Sequence, residues 1–174
     1  MDSALRVAVL VEDGFEDDEL AVPVAHLRTA GAEIILVAPF AGRQYRGKDG
    51  HIVTSGVAMG AARQLHVDGL IVPGGYAPDR LRMRHALVDL VRDTFVAGRL
   101  VGAISHGPQL LISADVLRGR TVTCSPSIAV DVKNAGGLYV DRPVAEDGNL
   151  VTSRKRDDAH VFSEAVLRAV KRSR

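Results

Sequence analysis

The chain has 174 residues and a formal net charge of +1 at pH 7, and 47% of its residues are hydrophobic and 25% charged. This balance excludes a disordered chain, argues against nucleic acid as the main partner, and predicts a single domain over residues 1–174. Because the sequence has one cysteine, no metal-ligand spacing, no signal-peptide pattern and no apolar run of about 20 residues, we expect a cytoplasmic protein without disulfides, membrane partner, metal or other cofactor.

The first half of the chain predicts strands that alternate with helices. A β-prone run over residues 5–11 predicts the first strand, and Gly14 ends it inside an acidic cluster. A helix should follow to Ala30 and stop at Gly31, and Pro23 should kink it or mark its true first turn. Further strands are predicted at Glu33–Ala38 and Gly69–Val72, with a short one near Ile52–Thr54.

The second half continues the alternation. A helix over residues 87–97 should end at Gly98, and the apolar strand Leu100–Ile104 should lead into a helix over residues 108–119. The smaller elements are a strand over 121–124, a short helix over 128–135, and two strands over 138–144 and 150–153 around the hairpin signal Asp147-Gly148. The last helix should start near Asp158 and turn Phe162, Val166 and Val170 inward.

Strands that are almost entirely apolar and alternate with helices are typical of a parallel sheet covered on both faces. The predicted fold class is therefore α/β, a three-layer sandwich with a mostly parallel sheet and helices on both sides. In such folds the functional site forms beyond the carboxyl ends of the strands. Three stretches follow predicted strands in this way, namely residues 12–19, 73–80 and 105–107.

The sharpest turn of the chain follows the strand Leu100–Ile104. Only Ser105, His106 and Gly107 separate that strand from Pro108, which suits the first turn of a helix. A turn this tight lifts a side chain out of the sheet, and the helix N-terminus beside it would stabilise an oxyanion. Ser105 is therefore a candidate nucleophile with strained backbone angles, although serine and glycine also occur in such turns simply as caps.

Groups from two strand ends could support Ser105. His106 is the natural base because imidazole titrates near neutrality, and Asp79 could orient it as the carboxylate of a triad does. The N–H groups of Gly74 and Gly75 could complete an oxyanion hole. Each group also has a structural interpretation. His106 could be a solvated histidine, Asp79 a helix N-cap, and Gly74 and Gly75 a tight turn after a strand.

The acidic cluster offers a further candidate. Glu19 or Glu16 could place a carboxyl group beside Ser105, although most acidic residues in such a cluster are solvated or lie near a helix N-terminus.

Motifs spread over nearly the whole chain resemble the DJ-1/PfpI superfamily, and within it the PfpI-like branch of intracellular peptidases and stress proteins. The motifs are Gly14-Phe15-Glu16-Asp17-Asp18-Glu19-Leu20, Pro73-Gly74-Gly75-Tyr76-Ala77-Pro78-Asp79-Arg80, His106-Gly107-Pro108-Gln109-Leu110-Leu111-Ile112-Ser113-Ala114, Leu117-Arg118-Gly119-Arg120, Asp131-Val132-Lys133-Asn134-Ala135-Gly136 and Val151-Thr152-Ser153-Arg154. The resemblance implies a flavodoxin-like fold and a homo-oligomer, a dimer or larger.

The resemblance also implies roles for individual residues. The family has a cysteine nucleophile at the elbow followed by histidine, and an acidic residue from a neighbouring subunit completes the triad. Those roles fall on Ser105, His106 and Asp79 acting in trans, and the glutamate that touches the nucleophile would be Glu19, with Glu16 as second choice. The backbone N–H groups of Gly75 and His106 would form the oxyanion hole, and Gly74, Glu16, Tyr76 and Ser125 would line the pocket.

Ser105 stands where the resemblance implies a cysteine. A helix N-terminus and a histidine can bring the pKa of a thiol below neutrality but cannot ionise a hydroxyl, so Ser105 would depend on His106 as its base. The serine could be a deliberate replacement of cysteine, a natural variant with altered chemistry, or the mark of a former enzyme that now binds; the otherwise intact motif favours the first. Cys124 lies at the end of a different predicted strand and does not replace the thiol.

Two classes of function remain. The leading hypothesis is a PfpI-like stress-response hydrolase whose activity is impaired because Ser105 stands in place of cysteine. It would act either as a peptidase or amidase, or as a glyoxalase III or deglycase on methylglyoxal and its adducts. Both activities attack a carbonyl, so the sequence does not separate a small carbonyl substrate from a peptide. The alternative is a non-catalytic, chaperone-like or ligand-binding stress protein, which Ser105 favours and the intact His106 and Asp79 disfavour.

Overall fold

The computed structural model describes residues 4–173. The strands are β1 (Arg6–Leu10), β2 (Glu33–Ala38), β3 (Gln44–Arg46), β4 (Ile52–Thr54), β5 (Val57–Ala58), β6 (Gly69–Val72), β7 (Leu100–Ile104), β8 (Thr121–Val122), β9 (Leu138–Tyr139), β10 (Val144–Asp147) and β11 (Leu150–Ser153). The helices are α1 (Asp17–Thr29), α2 (Met59–Ala62), α3 (Ala77–Leu81), α4 (His85–Val96), α5 (Pro108–Ser113), α6 (Ala129–Asn134) and α7 (Ala159–Arg172). Within this part of the chain, none of the helices has the length and apolar character needed to span a membrane.

Seven strands form the central sheet, in the order β10-β11-β7-β6-β1-β2-β5. Neighbouring strands pair in parallel except β10 and β11, which form the antiparallel hairpin predicted at Asp147-Gly148. The helices form two packed groups, α1 with α7 and α4 with α2 and α5, and both α7 and α4 contact β7. The predicted α/β fold with a mostly parallel sheet is thereby confirmed.

Strand β7 carries the candidate site at its end, and its packing fixes the position of α7. All five residues of β7 are buried. A Cβ on Gly102 would lie 3.2 Å from Phe162 Cζ and 3.2 Å from Val166 Cγ2, so the missing side chain lets α7 approach the sheet. Phe162, Val166 and Val170 are each 0% exposed, which confirms the predicted inward face of the last helix.

The helix after β7 is shorter than the sequence predicts. It ends at Ser113 instead of continuing to residue 119, because Asp115 has a left-handed φ of +55° through which a right-handed helix cannot continue. The N–H of Val116 then donates to the carbonyl oxygen of Leu111 at 3.3 Å. The chain turns inward there, so that Val116 and Leu117 are buried.

Other predicted boundaries also change. The predicted strand over 138–144 is two elements, since β9 pairs with β8 in a separate two-stranded sheet and β10 joins the central sheet. Pro143 lies between them and has no N–H to donate to a ladder. Strand β8 ends at Val122 because the N–H of Thr123 donates to the hydroxyl of Thr152.

Two helices also differ from the prediction. Pro23 lies inside α1 and does not mark its first turn. Helix α3 is an element that the sequence pattern does not predict.

Candidate functional site

Ser105 occupies a strained turn between β7 and α5. Its φ is +60°, in the left-handed region that residues with a side chain rarely adopt, which confirms the predicted strain. The N–H of Ser105 donates to the carbonyl oxygen of Ser153 on β11, and its own carbonyl oxygen accepts from the N–H of Ser125. Hydrogen bonds on both sides therefore hold this conformation in place.

His106 lies beside the serine hydroxyl. Its Nδ1 is 3.4 Å from Ser105 Oγ, and its Nε2 is 3.0 Å from Ser127 Oγ. Burial lowers the pKa of His106, and the nearby positive charge of Lys48 lowers it further. The imidazole is therefore neutral near pH 7, which is the form that can accept a proton from a hydroxyl.

Glu19 approaches the elbow from α1. It is 2% exposed, and its Oε2 accepts a hydrogen bond of 2.9 Å from the N–H of Gly74. Burial raises the pKa of Glu19 to about 8, and the negative charge of Glu16 adds to that rise, while the Gly74 N–H and the Ser105 hydroxyl partly oppose it. At pH 7 the carboxyl group is therefore mostly protonated and can donate a hydrogen bond.

Gly74 is the residue that allows this contact. A Cβ at this position would collide with Glu19 Oε2, and it would lie 2.8 Å from Ser105 Cβ and 3.0 Å from the backbone nitrogen of His106. The carboxyl group and the elbow therefore both approach the backbone of Gly74 at the place that a side chain would otherwise occupy.

Glu16 has a different environment from Glu19. Its Oε2 lies 3.3 Å from Lys48 Nζ, and its Oε1 lies 3.4 Å from the Arg156 guanidinium. Of the two candidate glutamates, Glu19 is thus the one that flanks Gly74 and the elbow, and Glu16 is held by cations. Glu16, Asp17 and Asp49 form an acidic group whose carboxylate oxygens lie within 4.8 Å of one another, close enough to ligate one cation.

That acidic group is already engaged with the protein. Both oxygens of Asp17 accept backbone N–H groups, from Asp49 at 2.8 Å and from His51 at 2.7 Å. Arg156 donates to Asp49 at 3.0 Å as well as approaching Glu16. The carboxylates therefore fix the loop that carries Lys48, and the cations of Arg156 and Lys48 offset part of their negative charge.

Two backbone N–H groups are free to bind an oxyanion. Among residues 4–173, neither the N–H of Gly75 nor that of His106 donates to another residue. The loop that carries Gly75 is held by its neighbours, since the N–H of Tyr76 donates to Gly14 and the N–H of Glu16 donates to the carbonyl oxygen of Gly74. Gly75 has a φ of +79°, and its backbone lies directly against the chain over residues 14–16.

A cavity of about 400 Å³ opens beside the elbow. Its lining comprises Lys48, Gly75, Tyr76, Asp79, Arg80, His106 and Gln109. Asp79 and His106 thus share one cavity, but no hydrogen bond joins them within the described chain, where the Nε2 of His106 is paired with Ser127. The action of Asp79 across a subunit interface stays a prediction.

The structure adds two residues that the sequence analysis does not select, Lys48 and Ser127. Lys48 comes from the β3–β4 connection, where the motif Gly47-Lys48-Asp49-Gly50 signals only a turn. Ser127 lies on a 3-10 turn, Pro126–Ile128, and its hydroxyl is 3.1 Å from that of Ser125. A serine on a short turn has no sequence signal that would associate it with His106.

The raised pKa of Glu19 predicts a dependence of stability on pH. The ordinary pKa is 4.5 and the folded value is about 8, so between these pH values the folded state binds a proton that the unfolded state lacks. The free energy of unfolding should therefore be highest below about pH 4.5 and fall as pH rises, by about 1–2 kcal/mol between pH 6 and 7.5. Denaturant titrations of the wild type and Glu19→Gln should show this fall in the wild type and a smaller one in the variant.

A suitable control for that comparison is Glu33→Gln, because Glu33 forms an exposed ion pair with Arg6 where β1 and β2 begin, at the opposite end of these strands from the residues that follow them. The control should keep the wild-type dependence. Parallel stability curves for the wild type and Glu19→Gln would contradict a protonated Glu19.

The sequence matches the DJ-1/PfpI family over residues 5–169. It is 44% identical over 165 residues to protein/nucleic acid deglycase 2 of Escherichia coli, covering 94% of this chain and 96% of that one. It is 36% identical over 167 residues to deglycase PfpI of Pyrococcus furiosus, covering 96% and 100% of the two chains.

Solved structures show the same fold. A two-domain protein of Anabaena variabilis, with DJ-1/ThiJ/PfpI-like and ferritin-like domains, superposes with a TM-score of 0.92 at 35% identity. The match covers 96% of this chain and 48% of that protein. DJ-1beta of Drosophila melanogaster superposes with a TM-score of 0.89 at 23% identity, covering 98% and 96% of the two chains. The flavodoxin-like arrangement that the motifs imply is confirmed.

Proposed function

Because the chain belongs to the DJ-1/PfpI family, we propose that it is a deglycase-type stress-response hydrolase of small carbonyl compounds and their adducts, with Ser105 at the nucleophile position. The observation that carries the proposal is the strained Ser105, whose hydroxyl lies 3.4 Å from the Nδ1 of a neutral His106. The names of two relatives, both deglycases, support the same class of reaction.

The proposed chemistry begins with attack on a carbonyl carbon. Ser105 Oγ forms the new C–O bond while its proton passes to His106 Nδ1, and the carbonyl electron pair moves to the oxygen. The N–H groups of Gly75 and His106 would bind that oxyanion in the arrangement of an oxyanion hole. The protonated Glu19 beside the elbow adds no negative charge that would oppose the oxyanion.

The dimensions of the site favour a small substrate. A cavity of about 400 Å³ lies at the lower end of the range for ligand pockets, which suits methylglyoxal and its adducts with amines or thiols better than an extended peptide. Tyr76 is 66% exposed at this cavity, with the Lys48 ammonium 5.1 Å above its ring. An aromatic face and a cation at the opening would contact the part of an adduct that stays outside.

The test compares the wild type with Ser105→Ala on methylglyoxal, its adduct with a free amine, and a peptide amide. We expect slow formation of lactate from the first two substrates by the wild type and none above background by the variant. Equal rates for the two proteins would contradict the proposal. The ligand-binding alternative, which the hydroxyl at the elbow favours, would then be supported if both proteins bound the adduct equally.

We also propose that the protein forms a homo-oligomer of at least two chains and that Asp79 approaches His106 of the partner. The support is that Asp79 is exposed, lines the cavity, and forms no hydrogen bond or ion pair with His106 of its own chain within residues 4–173. Sedimentation at micromolar concentration should show a dimer or larger species. A monodisperse monomer would remove the triad that includes Asp79.

A further inference from the structure

We propose that Lys48 makes the site selective for adducts that carry a carboxylate group in addition to the carbonyl that is attacked. This inference rests on the proposed function and names the class of adduct that the site would take. Lys48 and His106 line the same cavity of about 400 Å³, which opens beside the elbow at Ser105. A substrate that fills this cavity with its carbonyl at the elbow would therefore also contact the ammonium group of Lys48.

The ammonium group of Lys48 has hydrogen-bonding capacity left for a ligand. Within residues 4–173 its one ion-pair partner is Glu16, whose Oε2 accepts a hydrogen bond of 3.3 Å. An ammonium group has three N–H donors, so two of them remain available. The ring of Tyr76, whose centre is 5.1 Å from Lys48 Nζ, also attracts the cation and lines the cavity. Since the Lys48 side chain is 34% exposed, an incoming carboxylate can reach the remaining donors.

Much of the negative charge near Lys48 is paired with another cation. Asp18 and Asp49 accept hydrogen bonds from Arg156 at 2.7 Å and 3.0 Å. Glu16 is itself shared, because its Oε1 lies 3.4 Å from the Arg156 guanidinium. The acidic residues around the loop are therefore directed in large part at Arg156, and Glu16 alone pairs with Lys48 within the described chain.

The charged side chains that line the cavity also favour an anion. Lys48 and Arg80 are cations there, Asp79 is the single acidic residue, and His106 is neutral near pH 7. An exchange of Asp79 between two chains leaves this balance unchanged, because each chain would give one aspartate and receive one. Burial lowers the pKa of His106, and of the two cations Lys48 is the one that lowers it further. The charge of Lys48 therefore acts at the elbow, where the attacked carbonyl would lie.

The loop that carries Lys48 is held in place by the protein itself. The N–H of Lys48 donates to the carbonyl oxygen of Phe15 at 2.9 Å. The carboxylate of Asp17 accepts two further backbone N–H groups of the loop. A Cβ on Gly47 would lie 2.6 Å from Asp17 Oδ2, so the missing side chain lets the loop pack against this carboxylate. Little backbone ordering is therefore left to oppose the binding of a ligand at Lys48.

The first experiment measures binding to Ser105→Ala, which separates recognition from turnover. The probe is acetonylthiopropionate, a stable thioether that carries a ketone and a carboxylate, and the methyl ester of the same compound is its neutral counterpart. We expect the carboxylate to bind about threefold to tenfold more tightly than the ester, the range for one partly exposed hydrogen bond between charged groups. Adding Lys48→Gln to this protein should remove the preference, and adding Lys48→Arg should keep it.

The matched control is Lys133→Gln in the same background. Lys133 also lies over a tyrosine ring, with its Nζ 5.4 Å from the centre of Tyr139, but neither residue lines the cavity. This control removes the same charge from the protein as Lys48→Gln and should keep the preference for the carboxylate. Added salt should weaken the preference, because it screens the attraction between partly exposed charges.

A second measurement uses turnover of two hemithioacetals of methylglyoxal, formed with mercaptopropionate and with its methyl ester. In a protein that keeps Ser105, Lys48→Gln should raise KM for the charged adduct about threefold to tenfold and leave KM for the ester unchanged. At about pH 8 the imidazole of His106 is neutral with or without Lys48, so kcat should stay near the wild-type value.

The inference is overturned if Ser105→Ala binds the carboxylate no more tightly than the ester or binds neither, or if the preference survives Lys48→Gln, as it would if Arg80 recognised the anion. Failure of the proposed function has a different signature. In that case no protein turns over the hemithioacetals, while Ser105→Ala still prefers the carboxylate and loses that preference with Lys48→Gln.

Discussion

Ser105→Cys is expected to create a thiol that reacts with iodoacetamide about a thousandfold faster than Cys124 at pH 7.5, and to give clear turnover of methylglyoxal. Cys124 is 0% exposed, and burial raises its pKa to about 12, so almost none of it is thiolate. A thiol at position 105 would lie beside His106 and at the N-terminal end of α5, both of which favour the thiolate. The wild-type hydroxyl gains little from the same environment.

The dependence of that thiol on its neighbour can be measured in the same background. Adding His106→Ala to Ser105→Cys should lower turnover by about 10²–10⁴-fold, the usual range for loss of an acid–base partner. Adding Cys124→Ser should leave the labelling unchanged, because Cys124 takes no part in it. An introduced thiol no more reactive than Cys124, together with no turnover of methylglyoxal or a peptide amide, would favour the binding protein over the enzyme.

Gly75→Ala is expected to destabilise the protein by about 3 kcal/mol or more and to abolish any activity. Two effects add at this position. The φ of +79° costs about 1–2 kcal/mol for any residue with a side chain. In addition, a Cβ would lie 2.5 Å from the carbonyl oxygen of Gly14 and 2.6 Å from the backbone nitrogen of Glu16, so the loop that presents the Gly75 N–H must move.

Gly98→Ala separates these two effects. Gly98 has a similar φ of +74° at the end of α4, but no atom lies within 4 Å of a Cβ built there. This control should lose only about 1–2 kcal/mol and keep its activity. Chemical denaturation of both variants gives the two costs. Equal losses would show that the close approach between the Gly75 loop and residues 14–16 contributes nothing to stability.

The sequence by itself determined the α/β class and the position of the strained turn at Ser105. The strands β1, β2, β6, β7 and β11 are short apolar runs between glycine-rich turns, and this pattern is local enough to be visible in one chain. The elbow was also predictable, because only three residues separate β7 from Pro108, and Ser105 has a φ of +60° in that turn. Boundaries were harder: the left-handed Asp115, which shortens α5, has no signal in the sequence.

Only the tertiary structure decided which side chains meet at the elbow. The sequence analysis offered two glutamates for one position, and they differ because Glu19 is buried against Gly74 whereas Glu16 is paired with Lys48 and Arg156 from distant loops. Ser127 reaches His106 because a hydrogen bond from Ser125 to Ser105 joins two loops about twenty residues apart. A pKa or a hydrogen bond depends on distances between such segments, and those distances exist only once the chain has folded.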